Sequence, residues 1–274
     1  MGDFFGFSTG SIKIGQLEME FLETAGPRIV SLKFEGSENL FAEVPTLTTN
    51  TPYGDFRYLG GHRLWHAPEA MPRTYIPDNN GCTYRRIDNG VCLTGKIEEM
   101  SGIQKKVNIQ IDPTTNSVSL VHTLVNHNAW EIKLAPWAIT MFRHGGRVVI
   151  PTRGADPDTT SLLPDRNLIL WSYAKINDPR LRLMDDRIEL AAEMGDPFKV
   201  GTFNPLGWMS YTVNDIKFTK TFRVHHDSEQ VDFGCNAECY CDEHFVELES
   251  LGPYATIMPG QKTNWEEKWE LKKI

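Results

Sequence analysis

No apolar stretch of this 274-residue chain approaches the ~18 consecutive residues of a membrane span. Its start, Met1-Gly2-Asp3-Phe4-Phe5-Gly6, has neither the basic n-region nor the apolar h-region of a secretory leader. The expectation is a protein with no membrane partner. Cationic runs are absent too: 28 Lys and Arg stand against 36 Asp and Glu, a net charge of −8, and the basic residues are scattered. That balance disfavours a phosphate backbone or an anionic lipid surface, so no nucleic-acid partner is expected. Cysteine is scarce and odd in number: Cys82, Cys92, Cys235, Cys239 and Cys241. Without a leader, such a set reads as reduced thiols in a cytoplasmic protein. Cys235-x3-Cys239-x-Cys241 is not a zinc spacing, and a flat strand cannot wrap three thiolates round one ion, so no metal is expected there. Nor does a 3.6-residue apolar period persist beyond about two turns, which argues against a helical fold.

What the chain has instead is short alternating segments. Leu17–Glu23 and Arg28–Phe34 flank the turn signal Ala25-Gly26-Pro27; residues 107–111 and 118–121 flank Asp112-Pro113-Thr114-Thr115-Asn116. Further strands are expected at Val91–Ile97, Leu134–Phe142, Arg147–Pro151, Leu168–Tyr173, Arg187–Ala191, Met209–Val213, Phe218–Val224, Ala237–Cys241, Phe245–Glu249 and Trp265–Leu271, all punctuated by Gly, Pro or Asn. Residues 42–81, rich in Pro and Gly, read as a long functional loop. The sum is a single all-β domain over residues 1–274, with two large, mainly antiparallel sheets stacked face to face. The exposed edges of so large a sandwich are compatible with a homodimer.

Two segments carry the chemistry. Gly60-Gly61-His62-Arg63-Leu64-Trp65-His66-Ala67-Pro68-Glu69 packs hydrogen-bond donors, an acceptor and a flat aromatic face into ten residues. A polyhydroxylated ring is bound by such groups: planar forks for vicinal hydroxyls and an aromatic surface for the C–H face. The alternative is a surface loop with Trp65 tucked into the core. The second segment runs from Gly234 to Ser250. Period two puts Cys235, Ala237, Cys239 and Cys241 on one face and Asn236, Glu238, Tyr240 and Asp242 on the other. In the next strand Val246 and Leu248 oppose Glu247 and Glu249 in the same way. Antiparallel pairing would bring Glu238 near Glu249 or Glu247, a like-charge contact that calls for a raised carboxyl pKa or a cation between them. A divalent ion on oxygen ligands is one such cation; a solvated polar face is the bland alternative. Lys199, in Phe198-Lys199-Val200-Gly201, joins the candidates for holding ligand hydroxyls. Arg73, Tyr75, Asp78, His122, His127, His144 and His225-His226 each read as structural or surface groups when taken singly.

In their order along the chain, these pieces resemble the galactose mutarotase-like (aldose 1-epimerase) superfamily, in a divergent branch. Ala25-Gly26-Pro27-Arg28-Ile29-Val30-Ser31-Leu32 with Asn39-Leu40-Phe41 is similar to the family's opening hairpin. The Gly60–Glu69 segment is similar to its arginine-bearing loop, and Phe245–Ser250 to the strand of its catalytic glutamate. Met258-Pro259-Gly260-Gln261 and Trp269-Glu270-Leu271 match its final turn and strand. The resemblance spans about residues 17–271 and implies a β-supersandwich with a sugar cleft and no cofactor. It also implies interconversion of aldose anomers, in which a glutamate takes the anomeric proton while a histidine protonates the ring oxygen. By position Glu249 matches the base, with Glu247 competing. Arg63 matches the ring-orienting arginine, and Glu238 lies near a substrate-binding acid. Glu69, His62 and Lys199 would help hold hydroxyls, and Trp65 would stack on the ring. The family's acid histidine follows a strand and an Asn; here Pro136 or Trp137 stands there, which leaves His66, His62 or His144 as substitutes. The expected partner is a small carbohydrate.

Overall fold

Alternation builds this molecule. In Ile103–Asp112 the apolar and aliphatic-stemmed side chains at 103, 105, 107, 109 and 111 are buried while the residues between them are not. In Lys262–Lys273 the buried set is Trp265, Glu267, Trp269 and Leu271. Such strands cover a core on one side and meet water on the other. Ile132–Phe142 and Val246–Leu251 differ, being buried on both faces over most or all of their length. Their position explains this, since both lie in the middle of the larger sheet.

The computed structural model of the chain describes residues 2–154 and 159–274. Among the described residues there is no α-helix, hence no helix long and apolar enough to cross a membrane. A twelve-stranded and a ten-stranded sheet stack face to face. Across the centre of the larger sheet the strand order is Arg28–Phe34, Gly54–Ala67, Ile132–Phe142, Val246–Leu251, Ala237–Cys241 and Phe198–Thr202, each pair antiparallel.

The stretch 42–81 corrects the sequence reading. It is no continuous loop: Glu43–Thr51 and Gly54–Ala67 form a hairpin, and only the residues after Ala67 are irregular, save the 3-10 turn Arg73–Tyr75. The Gly60-Gly61 pair is a kink inside a long strand. Leu59, Gly60 and Gly61 all have positive φ (60°, 98° and 72°). Residues before the kink pair with Glu43–Thr51, and residues after it slot between Arg28–Phe34 and Ile132–Phe142. Both neighbours press on the kink. A Cβ on Gly60 would lie 1.9 Å from the Ala42 carbonyl oxygen, and one on Gly61 2.0 Å from that of Ile29. Glycine inside a strand marks such a close backbone approach.

Two apolar clusters lie on opposite faces of the larger sheet. The main core fills the space between the sheets, with Phe41, Phe142, Phe218 and Trp269 in edge-to-face contact. The second comprises Phe56, Trp65, Trp137, Met141 and Phe245 among others, on the outward face. Between the sheets a buried polar network ties the layers together. Lys220 Nζ lies 3.0 Å from Glu267 Oε1 and donates to the carbonyls of Ala138 and Leu248 at 3.2 and 3.1 Å. Trp265 Nε1 donates to Ser250 Oγ at 2.8 Å, and Ser250 to Glu267. Every donor of the buried ammonium is thus used, the condition under which such a charge is tolerated.

The kink makes a test. Gly61→Ala should lower stability by about 1–3 kcal/mol from the positive φ alone, with a further penalty from the Ile29 carbonyl, measured by chemical denaturation. Stability equal to the parent protein would mean that the kink relaxes without cost.

Candidate functional site

Strand register assembles the site row by row. One row across the larger sheet reads Arg63, Ile139, Glu249, Glu238, Gly201; the next reads Gly61, Met141, Glu247, Tyr240, Lys199. The two cations therefore stand at opposite ends, each diagonal to carboxylates, with side chains on the outward face. Arg63 Nη2 donates to Glu247 Oε1 at 3.0 Å, and Nη1 contacts Met141 Sδ. Lys199 Nζ lies 2.8 Å from Glu238 Oε2 and 2.9 Å from Glu249 Oε2. Trp137 Nε1 also donates to Glu249 Oε2, at 2.7 Å. Glu249 Oε1 is buried and has no protein partner.

Above these rows opens a cavity of about 550 Å³. Arg63, Trp65, Glu69, Lys199, Glu247 and Glu249 line it, and Trp137, Trp171, Tyr173, Tyr240, Asp242 and His244 complete much of the wall. The Lys199 ammonium sits 4.6 and 4.5 Å from the ring centroids of Trp137 and Trp171. The Arg63 guanidinium lies 4.3 Å from that of Trp65. Flat aromatic walls with a few fixed polar groups describe a small-molecule pocket. At the rim Tyr75 donates its hydroxyl to Glu69.

Electrostatics separate the three carboxyls. Burial, opposed by Lys199 and reinforced by Glu249, pushes Glu238 well above the usual carboxylate range. Burial also lifts Glu247, against the pull of Arg63 and with Glu249 adding to it, up to about 7. Burial alone would lower Lys199, but Glu238 and Glu249 outweigh it and hold the ammonium well above its ordinary value. Like charges facing each other in the register cannot both ionise cheaply in a buried site, so Glu238 is pushed towards its neutral form beside Lys199 and Glu249.

No family model matches the sequence, and no curated protein matches it. Solved structures do. A galactose mutarotase-like protein from Lactobacillus casei is 12% identical with a TM-score of 0.64, over 97% of this chain and 100% of that one. A galactose mutarotase related enzyme from Lactobacillus acidophilus is 9% identical at a TM-score of 0.56, over 97% and 98%. A TPR-domain containing protein from Parabacteroides distasonis is 11% identical at 0.67, over 97% of this chain but 47% of that one. This is the galactose mutarotase-like fold. At such identities the likeness concerns architecture, and the site is read from its own residues.

Within the galactose mutarotase-like fold, the cavity brings together Arg63, Trp65, Glu69, Lys199, Glu247 and Glu249 and leaves out four other candidates, His62, His66, His144 and Glu238. His62 and His66 belong to a strand, where alternation turns them away from Arg63 and Trp65. His62 is buried between the sheets, its Nε2 2.8 Å from His122 Nε2 and its Nδ1 2.9 Å from Thr140 Oγ1. His66 sits between Arg73, 2.5 Å away at Nδ1, and Glu98, 3.5 Å away at Nε2; burial lowers it to about 4 despite Glu98. Neither ring reaches the cavity, which corrects their expected placement as acid and hydroxyl ligand. His144, the third substitute, donates Nε2–H to the Asp242 carbonyl oxygen at 3.0 Å and does not line the cavity either. Glu238 is wholly buried behind Lys199 and touches no cavity space. The place expected for a divalent ion between Glu238 and Glu249 is filled by the Lys199 ammonium. Trp65 is not free to stack as expected on the face that Arg63 covers.

Among the wall residues that sequence reasoning missed are Trp137, Trp171 and His244. Trp137 stands where the resemblance led one to look for the acid histidine, and it holds the glutamate instead. Trp171 follows the short strand Ile169–Leu170, which pairs with Phe198–Thr202. His244 lies in the turn joining Ala237–Cys241 to Val246–Leu251 and is the one histidine among the described residues that lines the cavity. Its place between two acid-bearing strands was the available signal. A histidine–carboxylate group with metal-like spacing, His62, His122 and Glu267, lies between the sheets. His62 and His122 already bond each other and Glu267 already holds Lys220, so an ion there would displace satisfied partners.

Removing the central cation tests this balance. Lys199→Met should cost about 3–5 kcal/mol, because it strands two facing buried carboxyls. Adding Glu238→Gln should recover part of the loss, a coupling read from a double-mutant cycle in urea.

Proposed function

We propose that this protein interconverts the anomers of an aldose, an aldose 1-epimerase type of isomerisation with Glu249 as the base. The observation that carries the reading is the state of that carboxylate: Oε2 is fixed by Trp137 and Lys199, while Oε1 is buried and unpartnered in a residue that lines the cavity. An oxygen held in place without a hydrogen bond of its own is poised to accept a proton from a ligand. The hydroxyl on C1 of a bound pyranose supplies that proton. The cavity's size suits one saccharide unit, its aromatic wall suits the C–H face of a ring, and Arg63 and Glu69 offer a donor and an acceptor for hydroxyls. The likeness to a galactose mutarotase-like protein and a galactose mutarotase related enzyme supports the same reading.

A second reading is a non-catalytic carbohydrate-binding module. One observation favours it: neither histidine of the arginine-bearing strand reaches the cavity. The two readings separate in solution. Exchange between the α and β forms of galactose, glucose and other common aldoses, followed by NMR, should accelerate with the protein. Glu249→Gln should then slow it about 10²–10⁴-fold with sugar affinity kept. If aldoses and their 6-phosphates bind but exchange at the uncatalysed rate, the protein is a binding module. Trp65→Ala and Arg63→Ala would then weaken binding while Glu249→Gln would not.

A further inference from the structure

Opening an aldopyranose ring needs two proton transfers, one off O1 and one onto the ring oxygen. With Glu249 taking the first, the proposed reaction lacks a donor for the second. The cavity wall offers a limited set of acids: Glu69, Asp242, His244, Glu247 and the tyrosines 58, 75, 173 and 240. Lys199 is committed to Glu238 and Glu249.

We propose that Glu247 is the general acid of this site, delivering a proton from Oε2 to the ring oxygen while Glu249 Oε1 takes the proton of O1. This rests on the anomer-exchange reading above. The geometry is that of neighbours on one strand. Glu247 and Glu249 are two residues apart on the same outward face, so their backbones are roughly 6.5 Å apart. O1 and the ring oxygen share C1, so a hemiacetal centre fits between two such carboxyls. Arg63 takes Glu247 Oε1 at 3.0 Å, which leaves Oε2 to carry the proton. In the reaction the C1–ring-oxygen bond breaks with its electron pair going to the ring oxygen, which receives the Glu247 proton. The O1–H pair becomes the second bond of the C1 aldehyde, and Glu249 holds the released proton. After rotation about C1–C2 both transfers reverse, ring closure occurs on the other face, and the protein is unchanged.

Charge favours these roles. Facing Glu247 are Arg63 from the strand beyond Ile132–Phe142, Tyr240 and Lys199 from the other side, Glu249 on its own strand, and Tyr173 across the opening; Lys220 approaches from the sheet beneath. Glu69, Asp242 and His244 line the same space. Burial and the Glu249 charge together raise Glu247 to about 7 in spite of Arg63. A carboxyl near 7 is a far stronger acid than a tyrosine and is still protonated in a useful fraction at neutral pH.

Anomer exchange in wild type, Glu247→Gln and His244→Asn, after subtraction of the uncatalysed rate, tests the assignment across pH 5 to 9. The protonated fraction of a carboxyl falls as pH rises, so wild-type kcat/KM should decline through about pH 7. Glu247→Gln, isosteric and still able to meet Arg63, should lose about 10²–10⁴-fold in kcat/KM with sugar affinity kept. A level wild-type profile to pH 9 would overturn the assignment. So would full activity in Glu247→Gln, most directly if His244→Asn were the inactive variant. A Glu247→Gln protein that fails to fold leaves the wild-type profile to decide. Wild type that accelerates no aldose removes the anomer-exchange reading itself, an outcome distinct from an active enzyme with another acid.

Discussion

The register that sets Glu238 opposite Glu249 is the constraint from which the site follows. Two carboxyls on directly facing residues repel when both are ionised, and here both are fully buried. The sheet resolves the conflict with one ammonium and a raised carboxyl pKa. Lys199, on the next strand and diagonal to both, contacts an oxygen of each, and Glu238 is pushed towards its neutral form. Holding that ammonium needs more than its ion pairs, and Trp137 and Trp171 close round it with their ring faces. Trp137 thus shapes the cavity wall, shields the cation and holds one oxygen of Glu249. Gly201 belongs to the same arrangement: a Cβ there would meet Cys235 Sγ at 2.6 Å and Glu238 Cγ at 3.2 Å.

Much of this was legible in the chain. Arg28–Phe34, Arg147–Pro151, Arg187–Ala191 and Ala237–Cys241 are strands with the same bounds that alternation gives. The split of the acidic hairpin into a thiol face and a carboxyl face also holds: Ala237, Cys239 and Cys241 enter the core between the sheets. Local periodicity suffices for such statements because side chains of a strand point alternately to its two faces. What it did not deliver was the arginine-bearing segment as a strand. Gly60-Gly61 carries the positive φ of a turn, and a turn is the ordinary reading of two glycines. The structure uses that conformation to bend a strand and change its partners. Once the segment is a strand, alternation assigns Arg63 and Trp65 to one face and His62 and His66 to the other. The histidines were misplaced by the missed strand, not by a failure of the pattern. Trp137, Trp171 and His244 were illegible for another reason: they meet Glu249 and its cavity through pairings between distant strands, which no local window contains.

The larger sheet has polar groups on both faces, and they do different work. On the inward side His62 and His122 bond each other, and Lys220 holds the carbonyls of Ala138 and Leu248. Those carbonyls belong to the two strands that carry Trp137 and the Glu247–Glu249 pair. A side chain of the smaller sheet therefore fixes the backbone from which the outward groups project. Backbone held on one face and side chains crowded on the other leave little freedom for the carboxyls, the condition for presenting an oxygen without a partner of its own.

That last condition separates the two carboxyls of the Val246–Leu251 strand. Glu249 has an ammonium and an indole on one oxygen; Glu247 has a single guanidinium on one of its own, and burial with Glu249 beside it raises its pKa. Two identical side chains on one face of one strand thus sit in unequal fields, and the inequality comes from their diagonal partners. Environments that set two neighbouring carboxyls apart in this way are what distinguish one titratable group from another in a shared pocket, and they arise here without either histidine of the arginine-bearing strand, which alternation turns away from the cavity.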